Sequence, residues 1–246
     1  MLRTCLALAL LTTVAGCGDD DDDTVVADAD VSIDAADTTP DAPPAGPGLL
    51  IEGTLIVENV VNSEVNANHR VNATIRITRD GAPVTNAIIR VNPPGAFETF
   101  LTGEALDPSL YTGNYMNYTL PNARIEIGAD DDDIPQTVIV GMELFKITDP
   151  LPGASVVETD DLDVAWSRPG SAATSLQVTT DNAYDSGVLE DAAAHVIPAS
   201  ALTIEMADDE VQVLRCRRNE SLPGDAADGS YVDFCVRSYL SFTVTK

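Results

Sequence analysis

From Leu49 onward the chain is written in short apolar runs cut by turn residues. Val71, Ala73, Ile75 and Ile77 alternate with Asn72, Thr74, Arg76 and Thr78. That period of two turns one face of a strand inward and the other to water. Leu50–Val57 is a similar run, and so are Ala87–Val91, Glu98–Leu101, Tyr115–Leu120, Ala123–Ile127 and Thr137–Ile147. Asp80-Gly81 reads as the turn between two of them. No stretch carries a helical period. About seven or eight strands in a hundred residues is the spacing of an antiparallel sandwich.

Asp149-Pro150-Leu151-Pro152-Gly153 interrupts this pattern, because two close prolines cannot continue a strand. Beyond it Leu162, Val164 and Trp166 alternate, then Leu176 and Val178, then Val211 and Val213. The even positions from Val232 to Val244 are almost all apolar. Trp166 could serve as a ligand platform, but a lone Trp on an alternating strand belongs to a core. The reading is all-β: two tandem antiparallel sandwiches, residues 49–148 and 149–246.

The amino terminus follows other rules. Arg3 and the apolar run Leu6–Leu11 form an export signal too short to span a bilayer. The run ends in Val14-Ala15-Gly16-Cys17, which resembles the bacterial lipobox. That resemblance implies a signal peptide of residues 1–16, removal before Cys17 and acylation of its thiol, with several acyl chains giving stable anchorage where one would not. Residues 18–48 hold ten Asp and no Lys or Arg, more than a third of the net charge of −27 in an eighth of the chain. Asp19–Asp23 repel one another, and Pro40, Pro43, Pro44 and Pro47 stiffen the end, so residues 17–48 read as a lipidated, disordered tether of about 30 Å or more. With Gly18 in place of Asp at the second mature position, the resemblance favours the outer membrane of a bacterial envelope and leaves the leaflet open. No other apolar run approaches a membrane span.

Two elements of the first half resemble bacterial Ig-like and transthyretin-like modules: Asp80-Gly81-Ala82-Pro83-Val84-Thr85-Asn86-Ala87, and Thr112-Gly113-Asn114-Tyr115 followed by Leu120-Pro121. In the second half Leu162-Asp163-Val164-Ala165-Trp166 and Val196-Ile197-Pro198 followed by Leu202 resemble fibronectin type III-like domains. These resemblances imply fold and leave function open.

Four cysteines divide cleanly. Cys5 leaves with the signal and Cys17 takes lipid, so Cys216 and Cys235 remain as a pair in an oxidising compartment. Placing Cys216 opposite Cys235 sets Val211 opposite Leu240 and Val213 opposite Ser238, which keeps the apolar positions on one side. The expectation is a cross-strand disulfide on the outward face. A metal pair is the rival, but a structural site needs about four ligands and no His neighbours these Cys.

Acidity of this order excludes nucleic-acid binding, which needs a basic surface. No catalytic motif is present, and no catalytic residue is assigned. His69 reads as part of a polar loop and His195 as preceding a strand, and neither has a metal spacing. Two acidic clusters remain, Asp130-Asp131-Asp132-Asp133 and Asp160-Asp161 with Asp163. Their oxygens could hold Ca²⁺. The reading as solvated, repulsive loops carries more weight, because neither matches D-x-[DN]-x-[DN]-G. An Ig-like topology sets the first cluster beside the point where the body begins. The long hairpin loop Asn219–Ser230 is a recognition candidate. Two function classes follow. One is a lipid-anchored, non-enzymatic envelope module with a protein or glycan partner and no cofactor. The other is an envelope hydrolase or accessory subunit.

Overall fold

The structure, a computed structural model, describes residues 48–65, 69–92, 99–117, 122–182, 184–202 and 208–246. The lipobox, Cys17 and the tether through residue 47 lie outside the described residues, as do Glu98, Tyr118 and Pro121.

Strand is the dominant element among the described residues, beside one short 3-10 turn at Ala199–Ala201. In chain order the strands are β1 Leu50–Asn59, β2 His69–Arg79, β3 Ala82–Pro83, β4 Ile88–Asn92, β5 Thr99–Phe100, β6 Thr102–Gly103, β7 Leu110–Asn117 and β8 Asn122–Ala129. They continue as β9 Asp132–Val140, β10 Ile147–Asp149, β11 Ser155–Val157, β12 Leu162–Trp166, β13 Ser175–Thr180, β14 Ala194–Ile197, β15 Asp208–Glu220 and β16 Tyr231–Thr245. Alternation dictates the buried faces: Val71, Ala73, Ile75 and Ile77 are buried on β2, and Leu162, Val164 and Trp166 on β12. Trp166 is thus a core residue. Between β2 and β3 the turn Asp80-Gly81 has φ of +52° and +76°. This is the two-residue geometry whose twist matches the strands it joins.

The strands form three sheets. The largest runs β13-β15-β16-β1-β2-β7-β6, with β11 added to β16 and β3 to β2. The second runs β5-β4-β8-β9 and the third β10-β12-β14. Asp149–Gly153, expected as a joint, is where the chain leaves the third sheet at β10 and enters the largest at β11. Across that joint the largest sheet is continuous. β1 pairs in parallel with β16, Glu52 opposite Tyr231 through Asn59 opposite Ser238, and β11 joins β16 in parallel from Thr243. These two pairs depart from the antiparallel expectation. The physical basis is length: a fifteen-residue strand spans about 50 Å, enough to serve both halves. Its buried face carries Val232, Phe234, Val236, Leu240, Phe242 and Val244, and one apolar cluster unites the buried residues of all three sheets.

Cys216 and Cys235 are bonded, and Val211 faces Leu240 and Val213 faces Ser238, in the register expected. The disulfide is on the sheet face opposite Val211 and Val213. It is not solvated there, since Cys216 is 7% and Cys235 1% exposed. It lies mid-sheet, with Ser175 of β13 and Ile56 of β1 in register on its two sides. The neighbours on one face of a wide sheet cover a small S–S group.

Candidate functional site

β1 ends because of one side chain. Asn59 is fully buried, and its amide nitrogen lies 2.7 Å from the carbonyl of Phe145, 3.0 Å from that of Ser63 and 3.0 Å from Ser238 Oγ. The Asn62 amide donates to the Asn59 carbonyl at 3.1 Å, closing a turn with Asn62 at φ +46°. Asn62 is itself fixed: its Oδ1 accepts from the Ile147 amide at 2.6 Å and its Nδ2 donates to the Ile147 carbonyl at 2.9 Å. Val60 and Val61 sit on this braced turn and remain 69% and 65% exposed. The turn thus holds an apolar pair in water.

Beside the turn is a cavity of about 450 Å³, lined by Glu58, Val60, Val61, His69, Arg70, Asn72, Met116 and Tyr239. It opens where β1 has stopped pairing with β16 and β11 has not yet begun. β1 runs for about 30 Å from Leu50, so the cavity lies at the opposite end of that strand from the chain's entry into the body. Cross-strand register sets its charged residues on one sheet face: Glu58 opposes Arg70 on one side and Arg237 on the other, and Arg70 opposes Met116.

Glu58 is only 13% exposed and its oxygens are engaged. Asn72 Nδ2 donates to Oε1 at 2.8 Å, Tyr239 Oη donates to Oε2, and Arg237 Nη1 stands 3.8 Å from Oε1. Burial and then the Glu58 hydrogen bond push the Tyr239 phenol up to about 12, so it stays neutral and donating. His69 was expected in a polar loop. It instead opens β2 on the inward face, 3% exposed, and its Nε2 has no partner among the described residues. No spacing signal marks these residues; only the strand register brings them together.

The other sequence candidates fall elsewhere. The run Asp130–Asp133 is not a four-residue loop: Asp130 and Asp131 make the turn, and Asp132 and Asp133 belong to β9 because Ala129 pairs with Asp132. Arg79 lies 3.5 Å from Asp130 and bonds Asp132 closely, and Asn86 bonds Asp130. The Asp133 amide bonds the Asp225 carboxylate at 2.9 Å, and Leu49 N bonds the Asp225 carbonyl at 2.8 Å. The cluster does therefore stand at the entry point of the body. Asp161 accepts the Ala199 amide at 2.8 Å, Thr159 bonds Asp160, and Asp163 is in register with Val196. Among the described residues no three His, Cys, Asp or Glu side chains are grouped to hold a metal ion. The hairpin loop encloses a second cavity of about 560 Å³, but the loop is tied to Leu49 and Asp133. Its base carries Arg218, forked onto Asp233 at 2.9 Å and stacked 3.9 Å from the Tyr231 ring. His195 lies in β14, its Nε2 2.5 Å from Tyr184 Oη, and desolvation lowers its pKa.

Sequence reasoning missed Arg215. It shares the parity of Val211 and Val213 and points inward, its side chain 1% exposed. Its guanidinium forks onto Asp191 at 3.1 and 3.0 Å and lies 5.4 Å from the Phe145 ring centroid. Burial alone would raise the Asp191 pKa, but Arg215, the Ala173 amide and Arg168 outweigh it and hold that carboxyl below its usual range.

No protein-family model matches the chain, and no curated protein does. Among solved structures the chain is similar to the Clostridium thermocellum CbhA fibronectin(III)-like modules, at 12% identity over 82% of this chain and 93% of that one, TM-score 0.23. It is also similar to a two-domain fibronectin type-III segment from chicken tenascin, at 12% identity over 76% and 96%, TM-score 0.23. A third is the Yersinia pseudotuberculosis adhesin InvE, at 12% identity over 76% and 58%, TM-score 0.25. The class these observations define is an all-β protein whose three sheets share one apolar core.

Proposed function

We propose that this chain is a lipid-anchored protein of the bacterial cell envelope, held through Cys17 and a charged tether, whose β body binds a ligand rather than transforming one. The lipobox residues Val14–Cys17 and the ten Asp of residues 18–48 support the anchorage, with the outer membrane favoured by Gly18. One observation supports the binding role above others. Val60 and Val61 are fixed in water by the Asn59 and Asn62 hydrogen bonds, beside a cavity in which Glu58, Asn72 and Tyr239 already orient one another. A preformed cavity with an apolar wall and few polar groups suits capture of a small ligand at low ordering cost.

Two measurements test this reading. A fatty-acid analogue should label the wild-type chain and not Cys17→Ala; equal labelling removes the anchor. The ¹³C-methyl signal of Met116, assigned through Met116→Leu, should move saturably with at least one member of a panel of fatty acids, aromatic acids, sugars and short peptides. Silence towards the whole panel removes the binding role.

A further inference from the structure

Resting on that reading of the cavity, we infer that its ligand is a small free amphiphile: an apolar body carrying one carboxylate or sulfonate, seated by Arg70. The apolar requirement comes from the walls. Val60, Val61 and Met116 are all exposed large apolar side chains that line one cavity. They are aliphatic or thioether groups, and the Tyr239 phenol that also lines the cavity has its hydroxyl engaged with Glu58.

The anionic requirement comes from the charge row across the sheet, Met116–Arg70–Glu58–Arg237. It sets two guanidinium groups against one carboxylate in a chain of net charge −27. Glu58 is spent within the protein on Asn72, Tyr239 and Arg237, so it offers no free acceptor to a cationic ligand. Arg70 is exposed and makes no ion pair with any described residue. Glu64, on the adjacent turn, is not among the lining residues. An arginine fork beside an apolar wall matches a planar anion on an apolar tail. The cavity volume falls in the range of small-molecule sites.

The test uses the full chain carrying Cys17→Ala, labelled at its methionine methyls and titrated with octanoate. The Met116 signal should shift saturably while that of buried Met142 stays fixed. Arg70→Gln should weaken octanoate binding at least tenfold and Arg70→Lys less, while Arg124→Gln on an exposed face of β8 leaves it unchanged. Octanol should bind at least tenfold more weakly than octanoate. Phosphatidylglycerol vesicles, which present their anion at a surface, should leave Met116 unmoved. Octanol binding as well as octanoate, an unaltered Arg70→Gln, or a response to vesicles without one to octanoate each overturns the inference. A response to sugars or peptides with none to octanoate overturns the ligand class and leaves the binding role standing. No response from any ligand overturns both.

Discussion

The Asn219 carboxamide pairs with the main chain of Val140 as a neighbouring strand would: its Oδ1 accepts the Val140 amide at 2.8 Å and its Nδ2 donates to the Val140 carbonyl at 3.0 Å. β9 is the outer strand of its sheet, and an unpaired strand edge invites association. Asp225 performs a similar service at the other end, where its carboxylate takes the Asp133 amide. Both caps come from the β15–β16 hairpin, so the hairpin that carries the disulfide also closes the edge of the smaller sheet. Asn219→Ala should cost about 1–3 kcal/mol, the expense of leaving partly buried peptide groups unpaired. Urea unfolding should show a lower midpoint at unchanged slope. An unchanged midpoint would mean that water replaces the amide without loss.

The disulfide should stabilise the body by about 3 kcal/mol, since it closes a loop between residues 19 apart in sequence. Replacing Cys216 and Cys235 together by Ala should lower stability by that amount. The buried sulfurs should resist alkylation under reducing conditions until the chain unfolds. Rapid labelling of the native protein by a thiol reagent would contradict the burial.

How much of this was legible in the sequence depends on which residues carried the signal. Strand faces were readable wherever apolar residues alternated, and pairing Cys216 with Cys235 reproduced the register because parity fixed the rest of the hairpin. The same parity points Arg215 inward, but a charged residue among inward positions gives no signal of its own, and Asp191 lies in a loop 24 residues away. The seven inward positions from Val232 to Val244 already exceeded an ordinary strand of about 5–6 residues. That excess was the available clue that β16 serves both halves. Its parallel pairing with β1 joins residues about 180 apart, which no local pattern encodes. The cavity was hidden for the same reason: Glu58, Arg70, Met116 and Tyr239 meet only through that register. Asp132 and Asp133 misled because a charge run reads as loop, whereas Arg79 draws Asp132 into the strand.

Asp191 is 5% exposed and faces Arg215 at 1%, so removing one charge strands the other. Asp191→Asn should cost about 3–5 kcal/mol, and Arg215→Met with Asp191→Leu should cost less than that single change. The pH dependence has a definite sign. The Asp191 pKa is lowered by folding, so its stabilisation is complete above the unfolded value near 4 and is lost as pH falls through the lower folded value. Acid unfolding of Asp191→Asn should therefore lack that part of the wild-type slope. Parallel acid profiles for the two proteins would refute the pairing.

Tyr239 supplies a test at the opposite end of the pH scale. Its hydroxyl donates to Glu58 Oε2, so Tyr239→Phe leaves a carboxylate that is 13% exposed short of one donor. The expected loss at neutral pH is about 1–3 kcal/mol. Folding raises this phenol to about 12, so its contribution is fully present below the unfolded value near 10 and disappears as pH climbs through 12. The stability gap between wild type and Tyr239→Phe, measured by denaturant unfolding at pH 7 and again at pH 11, should therefore narrow. Ultraviolet titration should show one fewer late-ionising tyrosine in the variant. A gap that stays constant between the two pH values would show that the phenol proton is not held by Glu58. The floor of the cavity would then lose its internal partner, and Glu58 would be free to meet a cationic ligand.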